Sequence, residues 1–301
     1  MKIGFSSLVC PSWDLPTIVS QASELGYDGV ELRGVRGELQ LTRIPALRAN
    51  PGSTRQMFAG ANVELASLVS SCTFDSRQRV ELARNRETLQ EYIEMAAELR
   101  CPRVRIFLGD VQKGEARQST LARIAEEPTT IAPSAAEHGV TVLIENSGDF
   151  AGSTDAWYIC DYVAHPAIRV AWNPCTAMML CERPTNSIPR LASRIGMFLV
   201  SDGRFDESGY MSGFEVPGEG NVELSRAIDL LKGVFYSGYL MFSWPKLWEP
   251  SLASPSDVLP RVQQFLRQRI DEKQAPLSAY KGDKNAPVYK TQPSGANARR
   301  T

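Results

Sequence analysis

Short apolar runs alternate with longer amphipathic ones along most of this chain. KIGFSSL opens as a strand, and DLPTIVSQASELG follows with a helical stripe in which Ile18, Val19, Ala22 and Leu25 share one face. Asp14 is placed to cap that helix, Pro16 suits its first turn and Gly26 its stop. GVELR then reads as a strand and the segment Pro51 to Gly60 as a short helix. VELASLVS, RVRIFLG, TVLIEN, RVAWNP, MFLVSDG and YLMFSW supply the remaining strands. The stretch SRQRVELARNRETLQEYIEMAAEL is a long helix. RQSTLARIAEEPTTIAPSAAEHG is helical in pattern but expected to be interrupted by Pro128 and Pro133.

Strongly apolar strands, most of them followed by helices, imply a parallel sheet covered by helices. Eight such units within about 270 residues predict a single closed (β/α)8 barrel over residues 1–270. An open doubly wound sheet is the weaker alternative, because no Gly-rich dinucleotide fingerprint follows the first strand. Residues 271–301 differ in kind. They are rich in Pro, Gly and polar residues, carry an excess of Lys and Arg, and read as a flexible basic tail.

Composition changes this picture only by exclusion. A 43% hydrophobic share suits a large globular core, and a formal net charge of −1 gives no general basis for binding nucleic acid or an anionic membrane. No apolar run approaches a membrane span, and the N-terminus has no secretory pattern. Six cysteines without paired spacing suggest reduced thiols and a cytoplasmic protein.

In a barrel of this type chemistry gathers at the C-terminal ends of the strands, which nominates the candidates. Cys10, Ser12 and Trp13 follow the first strand, and Glu31 with Arg33 ends the second. Ser71 and Cys72 end the third, and Phe107 and Asp110 the fourth. Glu145, Asn146 and Ser147 end the fifth, and Asn173, Cys175 and Thr176 the sixth. Ser201, Asp202 and Arg204 end the seventh, and Ser243 and Trp244 the eighth. Glu145 reads either as a lone general base or as half of a Glu–Arg pair across the rim. For Asp202 and Arg204 a mutual ion pair is the preferred reading over ligand contact. Cys10, Cys72 and Cys175 read as buried packing residues, because no histidine is at hand to activate a thiol. Trp13, Trp172, Trp244 and Trp248 could offer indole faces to a sugar ring or could simply pack. Gly218 and Gly220 read as turn residues ahead of a phosphate role. His138 and His165 each precede a strand, which puts both at the structural end of the barrel.

The motifs GYDGVELRG, PRVRIFLGD, TVLIENSGDF, PGEGNVEL and GYLMFSWPKLWEP, in that order and spacing, resemble the xylose-isomerase-like TIM barrels, the sugar phosphate isomerase/epimerase group. The resemblance covers about residues 1 to 270. It implies a divalent metal held by Glu, Asp, His and Glu on the fifth to eighth strands. Those positions fall here on Glu145, Asn173, Leu199 and Ser243. The resemblance also implies paired glutamates that move the proton, and Ser243 cannot take that role. With one carboxylate among four positions, no cofactor is expected, and Mn, Mg or Zn would bind only if other ligands completed the site.

The sequence therefore predicts a sugar isomerase/epimerase-like barrel that binds a sugar or polyol at the strand ends, with weak or absent metal-dependent activity. The expected contacts are Trp13, Glu31, Arg33, Asn173, Asp202, Arg204, Ser243 and Trp244, with Glu145 as the one catalytic candidate. A non-catalytic partner subunit of an active homologue, and a metal-independent isomerase or lyase using Glu145, are the alternatives. The expected partners are a small carbohydrate-like ligand and, in a homo- or hetero-oligomer, a related barrel.

Overall fold

Alternation along the strands decides which side chains fill the barrel and which meet the helices. The computed structural model describes residues 1–272, so the expected tail lies, from residue 273 onward, outside the described residues. In chain order the strands are β1 (Lys2–Ser6), β2 (Gly29–Leu32), β3 (Glu64–Val69), β4 (Arg103–Phe107), β5 (Thr141–Glu145), β6 (Ile168–Trp172), β7 (Ile195–Val200), β8 (Asp202–Phe205), β9 (Met211–Glu215) and β10 (Tyr239–Phe242). Eight of them close into a parallel barrel in the order β1-β10-β7-β6-β5-β4-β3-β2, the arrangement expected from the sequence.

The remaining pair, β8 and β9, is an antiparallel hairpin outside the barrel that the sequence reading did not anticipate. Its segment, DGRFDESGYMSGFE, has no continuous apolar run to mark a strand.

Helices cover the outside: α1 (Leu15–Glu24), α2 (Pro45–Arg48), α3 (Pro51–Gly60), α4 (Arg79–Leu99), α5 (Arg117–Glu137), α6 (Ser153–Val163), α7 (Pro174–Met178), α8 (Pro184–Leu191), α9 (Leu224–Gly233) and α10 (Pro255–Asp271). Asp14 caps α1 as expected, its carboxylate accepting from the Thr17 N–H at 3.0 Å. The expected interruption of α5 does not occur, and the helix runs through both Pro128 and Pro133. Two interior prolines cost roughly 6 kcal/mol together. Burial of Leu121, Ile124 and Ile131 returns roughly 5–9 kcal/mol, with Ala125, Ala132 and Ala135 adding to it. Among the described residues no helix is long and apolar enough to cross a membrane.

The lumen is layered. Its middle is apolar: Ala66, Leu143, Ala171, Met197, Leu199, Tyr239 and Met241 form a cluster separate from the core under the helices. At the N-terminal end, the Tyr239 hydroxyl donates to Glu64 Oε2 at 2.8 Å and the Arg103 guanidinium lies 5.6 Å from the Tyr239 ring centroid. Gly29 makes room for that phenol, since a Cβ there would stand 2.5 Å from the Tyr239 hydroxyl. Polar groups return at the C-terminal end, and they define the candidate site.

Candidate functional site

The centre of the C-terminal face is a buried cluster of three charges. Arg105 projects from β4, 2% exposed, and its guanidinium bridges two carboxylates. Nη2 donates to Glu31 Oε1 on β2 at 2.5 Å, and Nη1 donates to Glu145 Oε2 on β5. Burial alone would pull the Arg105 pKa down, but the two carboxylates outweigh it and hold it above the usual arginine value. For Glu145 burial is the largest influence and pushes its carboxyl up, against the pull of Arg105 and Asn173.

Asn173 holds the other side of Glu145. Its Nδ2 donates to Glu145 Oε1 at 3.2 Å, while its Oδ1 caps α7 by accepting from Cys175 N–H at 3.1 Å and Thr176 N–H at 3.4 Å. A carboxamide can do both jobs because it carries a donor and an acceptor, whereas a carboxylate can only accept. Asn146, fully buried, stitches β5 to β6 through Asn173 N–H and the Asn173 carbonyl. Ser147 accepts from the Leu108 N–H at 3.0 Å.

The other positions are quieter. Leu199 is fully buried in the apolar middle of the lumen. Ser243 is half-buried, its N–H bonded to the Val200 carbonyl and its carbonyl accepting from Ser201 Oγ at 3.1 Å. Among the described residues no group of three or more His, Cys, Asp or Glu side chains is placed to hold a metal ion. His138 and His165 lie just ahead of β5 and β6, at the opposite end of the barrel from Glu145.

Arg33, only 6% exposed, sits beside this cluster without joining it. Its Nη2 donates to Ser71 Oγ at 2.9 Å and its Nη1 to the Leu39 carbonyl at 3.5 Å. Both guanidinium groups approach the Phe107 ring, that of Arg33 to 5.9 Å and that of Arg105 to 5.7 Å from its centroid. Beyond Ser71 a polar cavity of about 600 Å³ opens on the same face, off the barrel axis, with Thr73, Asn85 and Tyr92 in its wall.

Several expectations need correction. Asp202 and Arg204 do not pair. Asp202 is fully buried, and its carboxylate accepts four backbone N–H groups, from Gly203 at 2.8 Å, Gly218 at 2.8 Å, Gly220 at 3.1 Å and Val222 at 3.1 Å. The Gly218–Gly220 turn thus receives an anion, but an internal one. Arg204, the exposed residue of β8, pairs with Glu215 on β9 at 2.6 Å. Trp244 offers no open face: it is 2% exposed, packs on Phe242 with centroids 5.8 Å apart, and donates its indole N–H to the Ala253 carbonyl at 3.3 Å. Trp172 is likewise fully buried under the helices, Trp13 is half-buried, and Trp248 is the exposed indole of the four. Cys10, Cys72 and Cys175 are buried, and burial raises the pKa of each, that of Cys175 to about 12.

Glu31, expected as a ligand contact, is fully buried and Glu145 nearly so, and both are held by Arg105, which was not among the expected site residues. The signal was available in RVRIF, where alternate arginines interrupt an otherwise apolar strand. Such residues share one face and must find partners if that face is inward.

An eight-stranded parallel barrel with its polar cluster at the C-terminal strand ends defines the class as a TIM barrel. Residues 19–269 match the family model of the xylose isomerase-like TIM barrel, and the chain belongs to that family. Among solved structures, a D-psicose 3-epimerase from Clostridium cellulolyticum H10 superposes with a TM-score of 0.73 at 14% identity, covering 90% of this chain and 99% of that one. The probable 3-DHS dehydratase AsbF from Bacillus anthracis gives 0.73 at 14% identity, over 89% and 99% of the two chains. The IolI protein, solved with a bound zinc atom, gives 0.76 at 13% identity, over 90% and 98%. At these identities the likeness is one of fold. By sequence, no curated protein matches significantly.

Proposed function

We propose that this barrel binds a small sugar or polyol at its C-terminal mouth without metal-dependent turnover. The observation that carries the reading is the state of Glu145: one oxygen is held by Arg105 and the other by Asn173. The residues present do not fit a hard divalent ion. Such an ion needs several anionic or imidazole ligands to offset its lost hydration. Here the four positions supply one engaged carboxylate, a carboxamide turned donor-first, a hydrocarbon and a hydroxyl.

Binding has the groups it needs at the mouth. Ser243 and Asn173 are half-buried, and Glu145 is reached from solvent over a small area. Hydroxyl, carboxamide and carboxylate together offer donors and acceptors to a vicinal diol. The test is to incubate the protein with ketohexoses and pentitols in D2O, with and without Mn. Ligand NMR then reads binding, and loss of carbon-bound protons reads turnover. Binding without isotope exchange is the expected result. Metal-dependent exchange would overturn the proposal, and so would failure of every sugar and polyol to bind.

A second reading rests on the place of Glu145 at the C-terminal strand ends, where it keeps a small solvent-exposed area and burial raises its carboxyl, which suits a general base acting without metal. Exchange that needs no metal and is abolished by Glu145→Gln would favour that reading instead.

A further inference from the structure

We infer that Arg105 is the resident cation of this lumen, balancing Glu31 and Glu145 in the role that a bound ion plays in a metal-holding barrel. The inference does not depend on what the mouth binds. Glu31 is fully buried and Arg105 nearly so, and Glu31 Oε2 has no hydrogen-bond partner. Two carboxylates this deep cannot be left unbalanced. An uncompensated buried charge carries a penalty that the fold must offset with an opposite charge or a proton. The Arg105 guanidinium supplies one opposite charge permanently and in direct contact, because arginine does not deprotonate in proteins, and Arg33 beside it supplies a second within electrostatic reach.

The contact set is specific to a fork. One nitrogen reaches β2 and another reaches β5, so a single planar group ties together two strands that are not neighbours in the barrel. Arg105 Nε, buried and unpartnered, is the part of the fork that neither carboxylate reaches. The nearby Arg33 adds a second positive charge whose pKa is lowered by burial and by repulsion from Arg105. An incoming divalent ion would therefore meet carboxylates already engaged and two guanidinium groups beside them.

If Arg105 fills a cation site, emptying that site should create one. Arg105→Ala leaves Glu31 and Glu145 facing an open volume shaped for a cation. The variant should melt below the wild type and regain several degrees when methylguanidinium or Mn is added well above its dissociation constant. The wild type should not respond to either. Methylurea, the neutral match in shape, should rescue nothing. Rescue by neither cation, equal rescue by methylurea, or metal binding by the wild type with Arg105 in place would each overturn the inference.

A second variant set covers failure of Arg105→Ala to fold. Glu31→Gln with Glu145→Gln strands the guanidinium, and adding Arg105→Met removes all three charges. The neutral triple variant should be more stable in urea than the double variant. A triple variant no more stable than the double would sink the charge-balance argument.

Discussion

Replacing Asn173 by aspartate restores the residue type that the family resemblance implies on the sixth strand, and here it should harm the protein. In the wild type Asn173 Nδ2 donates to Glu145 Oε1 at 3.2 Å. In Asn173→Asp that contact becomes two carboxylate oxygens face to face. Two like charges about 4 Å apart at an effective dielectric near 20 repel by about 4 kcal/mol. The lost hydrogen bond to a charged acceptor adds about 1.5–3 kcal/mol. Aspartate remains a good cap for Cys175 and Thr176 N–H, which returns about 0.5–1 kcal/mol. Proton sharing between the two carboxyls relieves part of the remainder, so a net loss of about 2–4 kcal/mol at pH 8 is expected.

A crowded carboxyl pair in the folded variant holds a proton that the unfolded chain releases above about pH 4. The native variant then binds more protons than its unfolded state, so its stability falls as pH rises. Urea midpoints for both proteins at pH 4.5, 6 and 8 should diverge steadily with pH. A variant as stable as the wild type at pH 8, or a gap independent of pH, would refute the reasoning. Stabilisation of the single variant by millimolar Mn would refute it as well, since Arg105 would then not be shielding Glu145 from metal.

Two further outcomes are expected. Gly220→Ala should cost about 2 kcal/mol or more in urea melts, because a Cβ there would stand 2.2 Å from Asp202 Oδ1 and 2.5 Å from the Gly203 carbonyl, breaking the cradle around Asp202. The protein should also weaken above about pH 8.5, where unfolded thiols ionise while the native ones stay protonated, Cys160 to about 11 and Cys101 to about 12. The unfolded state then binds fewer protons, so each such thiol removes up to about 1.4 kcal/mol per pH unit. Urea midpoints in reductant should fall between pH 8 and 10, and Cys101→Ala should make that fall shallower.

The barrel was legible because its signals are local. Eight apolar runs of β-strand length, separated by amphipathic helices, leave few other closures, and Asp14 announces its own helix. The positions at the strand ends were legible for the same reason, since the rule that places them is a property of the fold. Partners were not. Glu145 meets Arg105 because β4 lies directly beside β5, with Phe107 opposite Glu145 and Arg105 two residues earlier on the same inward face, and neither that neighbour nor its register is written in a strand's own periodicity. Asp202 illustrates the same gap: its four donors come from a loop some sixteen to twenty residues on and from its own neighbour Gly203. Trp244 looked like a ligand platform because it follows Ser243, yet adjacent residues on an extended segment point to opposite sides.

The residues at the four positions that the family resemblance implies for metal are linked by charge. Two carboxylates beside each other on β5 and β6 need a cation between them. With a guanidinium entering from β4 and gripping Glu145, a second carboxylate at position 173 has nothing left to pair with. A carboxamide there removes the repulsion, turns it into a hydrogen bond and still caps α7. A leucine at position 199 extends the apolar middle of the lumen and adds no charge to it. A serine at 243 adds no charge to a cluster whose two carboxylates already face two arginines. Each of these residues makes physical sense given the others. Restoring a single family residue should therefore destabilise this protein before it restores any chemistry, which is why Asn173→Asp is the sharper test of the site than a search for activity.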